Sequence, residues 1–154
     1  MQSEAAKIQS YSSFDYYTQD GNLRHNDWEY SKASPSVSDS RLDEIIYETY
    51  KLTSEASEKN WDGYGAEPVK ASYLAHVFSM LGRLPLKYEI PKLIPEPGGE
   101  IGMEWRSENA SIVMSYVGND EVTYSLIKKD FTSYGSFKED AFGDFVQQLD
   151  LIYE

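Results

Sequence analysis

Residues 95–126 read PEPGGEIGMEWRSENASIVMSYVGNDEVTYSL, and their periodicity decides the fold. Ile101, Met103 and Trp105 alternate with Gly102, Glu104 and Arg106, the two-residue repeat of a half-buried strand. Ala110–Val117 is a second β-rich run, and Val122, Tyr124 and Leu126 alternate with Thr123 and Ser125 in a third. Turn residues separate them: Pro97-Gly98-Gly99 before the first strand and Gly118-Asn119-Asp120 before the last. Phe131–Phe137 offers one more short strand. On the other side, Lys92–Glu96 reads as an edge strand, since the flanking prolines cannot donate to a ladder.

Upstream the period becomes helical. Leu42, Ile45, Ile46, Thr49, Thr53 and Ala56 share one face of a first helix, capped by Asp39 or Ser40 and stopped near Asn60. Asp43, Glu44 and Glu48 near its start and Lys59 near its end suit the helix dipole. A second helix runs from about Ala71 to Gly82, with Leu74, Val77, Phe78, Leu81 and Leu84 on one stripe and Pro85 closing it. Downstream, Phe142, Phe145, Val146, Leu149 and Ile152 mark a last helix from about Asp140. The expected class is α+β: an αα-hairpin, a three- or four-stranded antiparallel meander covered on one face by helices, and a C-terminal helix.

Residues 1–37 form a separate aromatic and polar arm, with residues 38–154 as a single α+β domain. The arm carries Tyr11, Phe14, Tyr16, Tyr17, Trp28 and Tyr30, and Asp20-Gly21 points to a hairpin over roughly 13–18 and 23–30, the alternative being an extended arm. SKASPSVSDS then reads as a linker.

Charge narrows the function. Fourteen Lys and Arg stand against 26 Asp and Glu, a formal net charge of −12. Such a chain repels phosphate backbones, so direct nucleic-acid binding is not expected. It is instead suited to basic partners, including proteins whose grooves hold nucleic acid. With no cysteine, thiolate chemistry, disulfides and Cys-ligated zinc are excluded. The opening MQSEAAKIQS lacks a basic n-region and apolar run, and no stretch reaches the ~18 apolar residues of a membrane helix. The expected location is the cytoplasm.

Catalytic constellations are scarce. The two histidines are His25 and His76; His76 has Met80 at i+4, so no helical zinc pair exists. No nucleophile elbow, P-loop, dinucleotide fingerprint or zincin motif occurs. Gly63-Tyr64-Gly65 lacks the third glycine and the lysine of a phosphate loop. Glu104 and Asp62 are the candidates that a hydrolase reading would use. No cofactor, metal or catalytic residue is assigned.

The most distinctive motif is Asn60-Trp61-Asp62-Gly63-Tyr64-Gly65-Ala66. Asp62 is placed to accept backbone amides in an Asx turn, with the glycines at positive φ and Tyr64 either a wedge or an exposed anchor. The loop reads first as a lock between the helices and the sheet, second as a binding loop. Together with Pro95-Glu96-Pro97-Gly98-Gly99-Glu100-Ile101-Gly102-Met103-Glu104-Trp105 it resembles a family of small, poorly characterised bacterial and mobile-element proteins. These share a W-D-G-Y-G-A loop and a P-E-P-x-G-x-I-x-x-E-W strand. The resemblance covers roughly residues 40–153. It implies an antitoxin-like or accessory protein and carries over no catalytic residue.

From residue 130 onward, Asp130, Glu139, Asp140, Asp144, Asp150 and Glu154 face a single base, Lys138. On a helix, Asp140 and Asp144 project from one side. The functional expectation is a non-enzymatic, acidic inhibitor or neutralising partner of a basic nucleic-acid-handling protein or ribonucleoprotein complex. An antitoxin fits this, as does a mobile-element inhibitor of a host defence system such as CRISPR. Its expected contacts are Tyr16, Tyr17, Trp28, Tyr30, Tyr64, Asp140 and Asp144. A structural subunit of a homo-oligomer or larger complex is the alternative; a small hydrolase is the second.

Overall fold

A computed structural model describes residues 7–9, 13–17, 23–25 and 37–154, the last with side chains from residue 40 onward. The chain divides into two compact units, Met1–Ser40 and Arg41–Glu154. In the first, β1 (Lys7–Gln9), β2 (Ser13–Tyr17) and β3 (Leu23–His25) form an antiparallel sheet in that order. Tyr17 pairs with Leu23, so the expected hairpin pairing is present over residues 13–17 and 23–25, its other positions lying outside the described residues, and β1 adds a third strand.

The second unit carries the core. Its two long helices are α1 (Val37–Glu55), which begins in the first unit, and α2 (Ala71–Gly82). Five strands follow: β4 (Lys92–Pro95), β5 (Ile101–Arg106), β6 (Ala110–Gly118), β7 (Glu121–Lys128) and β8 (Phe131–Lys138). They form one antiparallel meander in sequence order. The sheet exceeds the expected three or four strands because both outer segments, 92–95 and 131–138, pair fully.

Register explains the core. Ile101, Tyr116, Val122 and Phe137 line up across four strands; Met103, Met114, Tyr124 and Gly135 form the next row, and Trp105, Ile112, Leu126 and Ser133 the third. This is the face that packs against Ile45, Leu52, Val77, Met80 and Leu81 of the helices. The buried Trp105 donates its indole N–H to the Glu89 carbonyl at 2.8 Å, so its one polar atom is satisfied. Arg41 donates to the Tyr88 carbonyl at 2.7 Å and to the Leu84 and Leu86 carbonyls at 3.4 Å, fastening the start of α1 beyond the end of α2. The helices therefore run antiparallel, as an αα-hairpin.

Three helical details differ from the periodic reading. In α1 the core takes Ile45 and Leu52, with the buried Ala56 just past its end, and leaves Leu42 and Ile46 exposed; the helix ends at Glu55, and Asn60 instead adopts φ +66° in the following turn. In α2 Met80 is buried while Phe78 faces out. The C-terminal helix is a 3₁₀ turn (Glu139–Ala141), one turn of α-helix, α3 (Phe142–Phe145), and a second 3₁₀ stretch (Val146–Leu151). The reason lies in the spacing: Val146, Leu149 and Ile152 are three apart, which stacks them on one side of a three-residue turn, and all three are buried.

Candidate functional site

Asn60–Glu67 folds on its own side chains. The Asp62 carboxylate accepts from the Tyr64 amide at 2.8 Å and the Ala66 amide at 3.1 Å. Asn60 Oδ1 accepts from the Gly65 amide at 2.6 Å, and the Trp61 indole donates to the Glu67 carbonyl at 2.9 Å. Gly63 and Gly65 take φ +81° and +91°, the left-handed conformation expected of them. Beyond the loop, the Glu67 amide donates to Pro97 and the Lys70 amide to Gly99, tying it to the β4–β5 hairpin. The loop of residues 61–66 and the segment of residues 95–105 thus meet in space. Tyr64 is 93% exposed at the tip.

A second cluster lies where α2 meets the C-terminal segment. His76 Nδ1 is 2.7 Å from Glu139 Oε2, and Arg83 stands 3.6 Å from Glu139 Oε1. The His76 ring stacks on Tyr116 at 4.5 Å between centroids. The Glu139 amide donates to the Asp120 carbonyl at 2.8 Å, and the Asp120 amide to the Tyr116 hydroxyl at 3.3 Å. Arg83, Asp120, Lys138, Glu139 and Asp140 line an open cleft of about 420 Å³ here. His76, Asp120 and Glu139 offer ligand atoms within 4.8 Å of one another, a set that could hold a divalent cation. The Glu139 carboxylate is, however, already shared between His76 and Arg83. The arrangement works as an ion-pair knot pinning α2 to the C-terminal segment. The i, i+4 rule missed it because the partners are 63 residues apart.

Among the residues expected at a partner surface, Asp140 and Asp144 are both exposed, Asp140 in the 3₁₀ turn at the cleft rim and Asp144 in α3. Because the segment is not one α-helix, their four-residue spacing does not by itself place them on one side. Tyr16 and Tyr17 lie in β2. Trp28 and Tyr30 lie outside the described residues, as does Asp27 beside His25. The two carboxylates of the hydrolase reading both have partners: Asp62 holds loop amides, and Glu104 contacts Arg106.

Sequence reasoning put Leu42 and Ile46 on one face with the buried Ile45, and so missed an exposed apolar feature of α1. Leu42, Ile46 and Tyr50, spaced i, i+4, i+8, form an outward stripe on α1, 45%, 51% and 70% exposed, with Tyr47 beside it at 62%. Exposed Asp43 and Glu44 border it. Of the cations of α1, Arg41 is held by backbone carbonyls, and Lys51 pairs with Glu48 at 3.6 Å while lying 6.0 Å from the centre of the Tyr47 ring. Among the described residues no helix is long and apolar enough to cross a membrane. No family model, curated protein or solved structure matches the chain.

Proposed function

We propose that the chain is a non-enzymatic, acidic binding partner of a basic nucleic-acid-handling protein or ribonucleoprotein, docking through the outer face of α1. The observation that carries this reading is the Leu42–Ile46–Tyr50 stripe with Tyr47, a contiguous apolar and aromatic surface on a helix of a chain with net charge −12. Apolar patches of this kind mark protein-binding surfaces. Tyrosines suit them because a large ring is immobilised at small entropic cost while the hydroxyl finds a partner. The surrounding carboxylates select a cationic partner, speed its approach and repel nucleic acid, so the chain competes with nucleic acid for a basic groove. An antitoxin, or a mobile-element inhibitor of a defence complex such as CRISPR, would work in this way.

The test is a tagged pull-down from host cells at low and high salt, run in parallel with an Ile46→Lys/Tyr50→Lys variant. Both positions are exposed, so the variant keeps the fold, which circular dichroism verifies. The expected result is one basic nucleic-acid-handling protein recovered by the wild type at low salt, lost at high salt, and not recovered by the variant. Equal recovery by the variant, or recovery of the chain alone, counts against the proposal.

A further inference from the structure

The two edges of the five-stranded sheet are treated differently. The β4 edge is short and flanked by Pro91 and Pro95, and the Leu93 amide is capped by Glu48 of α1 at 2.9 Å. These are the ways an edge is blocked against another strand. Among the described residues, the β8 edge has none of them. It is eight residues long, contains no proline, and pairs with β7 without a bulge from Phe131 to Lys138. Phe131, Thr132, Tyr134, Gly135, Ser136 and Lys138 are all exposed, Tyr134 by 79%.

The sequence of this edge is close to a palindrome. Asp130-Phe131-Thr132-Ser133-Tyr134-Gly135-Ser136-Phe137-Lys138 reads outward from Tyr134 as small against small, hydroxyl against hydroxyl, Phe against Phe, and acid against base. From Phe131 to Phe137 it carries no charge, in a chain whose net charge otherwise drives copies apart.

We infer that β8 pairs with β8 of a second copy, antiparallel about a two-fold axis at Tyr134. That axis sets Ser133 opposite the second copy's Gly135, Thr132 opposite Ser136, Phe131 opposite Phe137 and Asp130 opposite Lys138. Every cross-strand pair is compatible, and the interface is isologous as a two-fold requires. The two five-stranded meanders become one ten-stranded sheet. Since Glu48 places α1 beside the β4 edge, the joined sheet carries one α1 face toward each end, giving a bivalent protein.

The decisive experiment is light scattering behind size exclusion, over about 1–500 μM protein, the range in which a single-strand interface of small area associates. Three proteins are compared. The chain itself is expected to rise with concentration from 17.6 kDa toward twice that mass. Thr132→Lys/Ser136→Lys places like charges opposite each other twice and is expected to stay at the monomer mass. Thr132→Glu/Ser136→Lys adds as many charges but sets them as opposite-sign pairs across the axis, and is expected to dimerise. A wild type that remains at the monomer mass throughout overturns the inference. So does a lysine pair that associates like the wild type, and loss of the dimer in both variants overturns the axis at Tyr134.

Discussion

Replacing Asp62 by alanine removes one carboxylate oxygen that accepts two backbone amides, and the structure fixes what that costs. The Tyr64 amide sits at the exposed tip, so water replaces the lost 2.8 Å bond with little change. The Ala66 amide belongs to a residue only 2% exposed, and its 3.1 Å bond has no ready substitute. Stranding such a donor costs about 1–3 kcal/mol. Taking about 2 kcal/mol, and about 2.1 cal/mol/K of unfolding entropy per residue over a unit of roughly 110 residues, the midpoint falls by about 9 °C. Thermal melts followed by circular dichroism measure this directly. Asp62→Asn keeps an acceptor oxygen without the charge and is expected to lose less than half as much. The reasoning fails if Asp62→Ala melts within about 2 °C of the wild type, or if the asparagine variant is as damaged as the alanine one.

Further expectations concern other parts of the fold. Gly118→Ala sets a Cβ at φ +96°, 2.5 Å from the Tyr73 hydroxyl, and is expected to cost about 1–3 kcal/mol in a urea titration; an unchanged midpoint contradicts the strained turn. For the ion-pair knot, a double-mutant cycle of His76→Ala and Glu139→Ala is expected to give a coupling of about 0.5–1 kcal/mol, reduced by the partial exposure of His76. Strict additivity refutes the contact. Burial pushes the Tyr88 and Tyr116 hydroxyls above their ordinary value near 10. The unfolded state then releases these protons first, so stability is full below about pH 10 and declines as pH rises beyond it. Melts between about pH 8 and 11 read this decline, and Tyr88→Phe is expected to lessen it; an identical slope in that variant contradicts the assignment.

The sheet was legible because its signals are local. Alternation at Ile101–Arg106 and Val122–Leu126, with turn residues between strands, needs no partner to be known. Asp62 was legible for the same reason, since it bonds amides two and four residues ahead. The helices were less so. Leu42, Ile45 and Ile46 all lie within one broad face of α1, and only packing decides that the core takes Ile45 and Leu52 while Leu42 and Ile46 turn outward. The same ambiguity exchanged Phe78 for Met80 in α2. Three-residue spacing at Val146, Leu149 and Ile152 was visible, but was read as part of an α-helix. The His76–Glu139 contact joins distant segments and has no sequence signature. The symmetry of residues 130–138 is plain in the sequence, but it has meaning only once β8 is known to be an open edge.

The account turns on whether the outer face of α1 meets a basic partner, and site-specific photocrosslinking in host cells addresses that most directly. A photoreactive amino acid at position 50 is compared with one at position 153, a second exposed tyrosine outside α1. The account predicts a crosslink from position 50 to one basic nucleic-acid-handling protein and none to it from position 153. A crosslink to that protein from position 153 but not from position 50, or from position 50 only to copies of the chain itself, would contradict it.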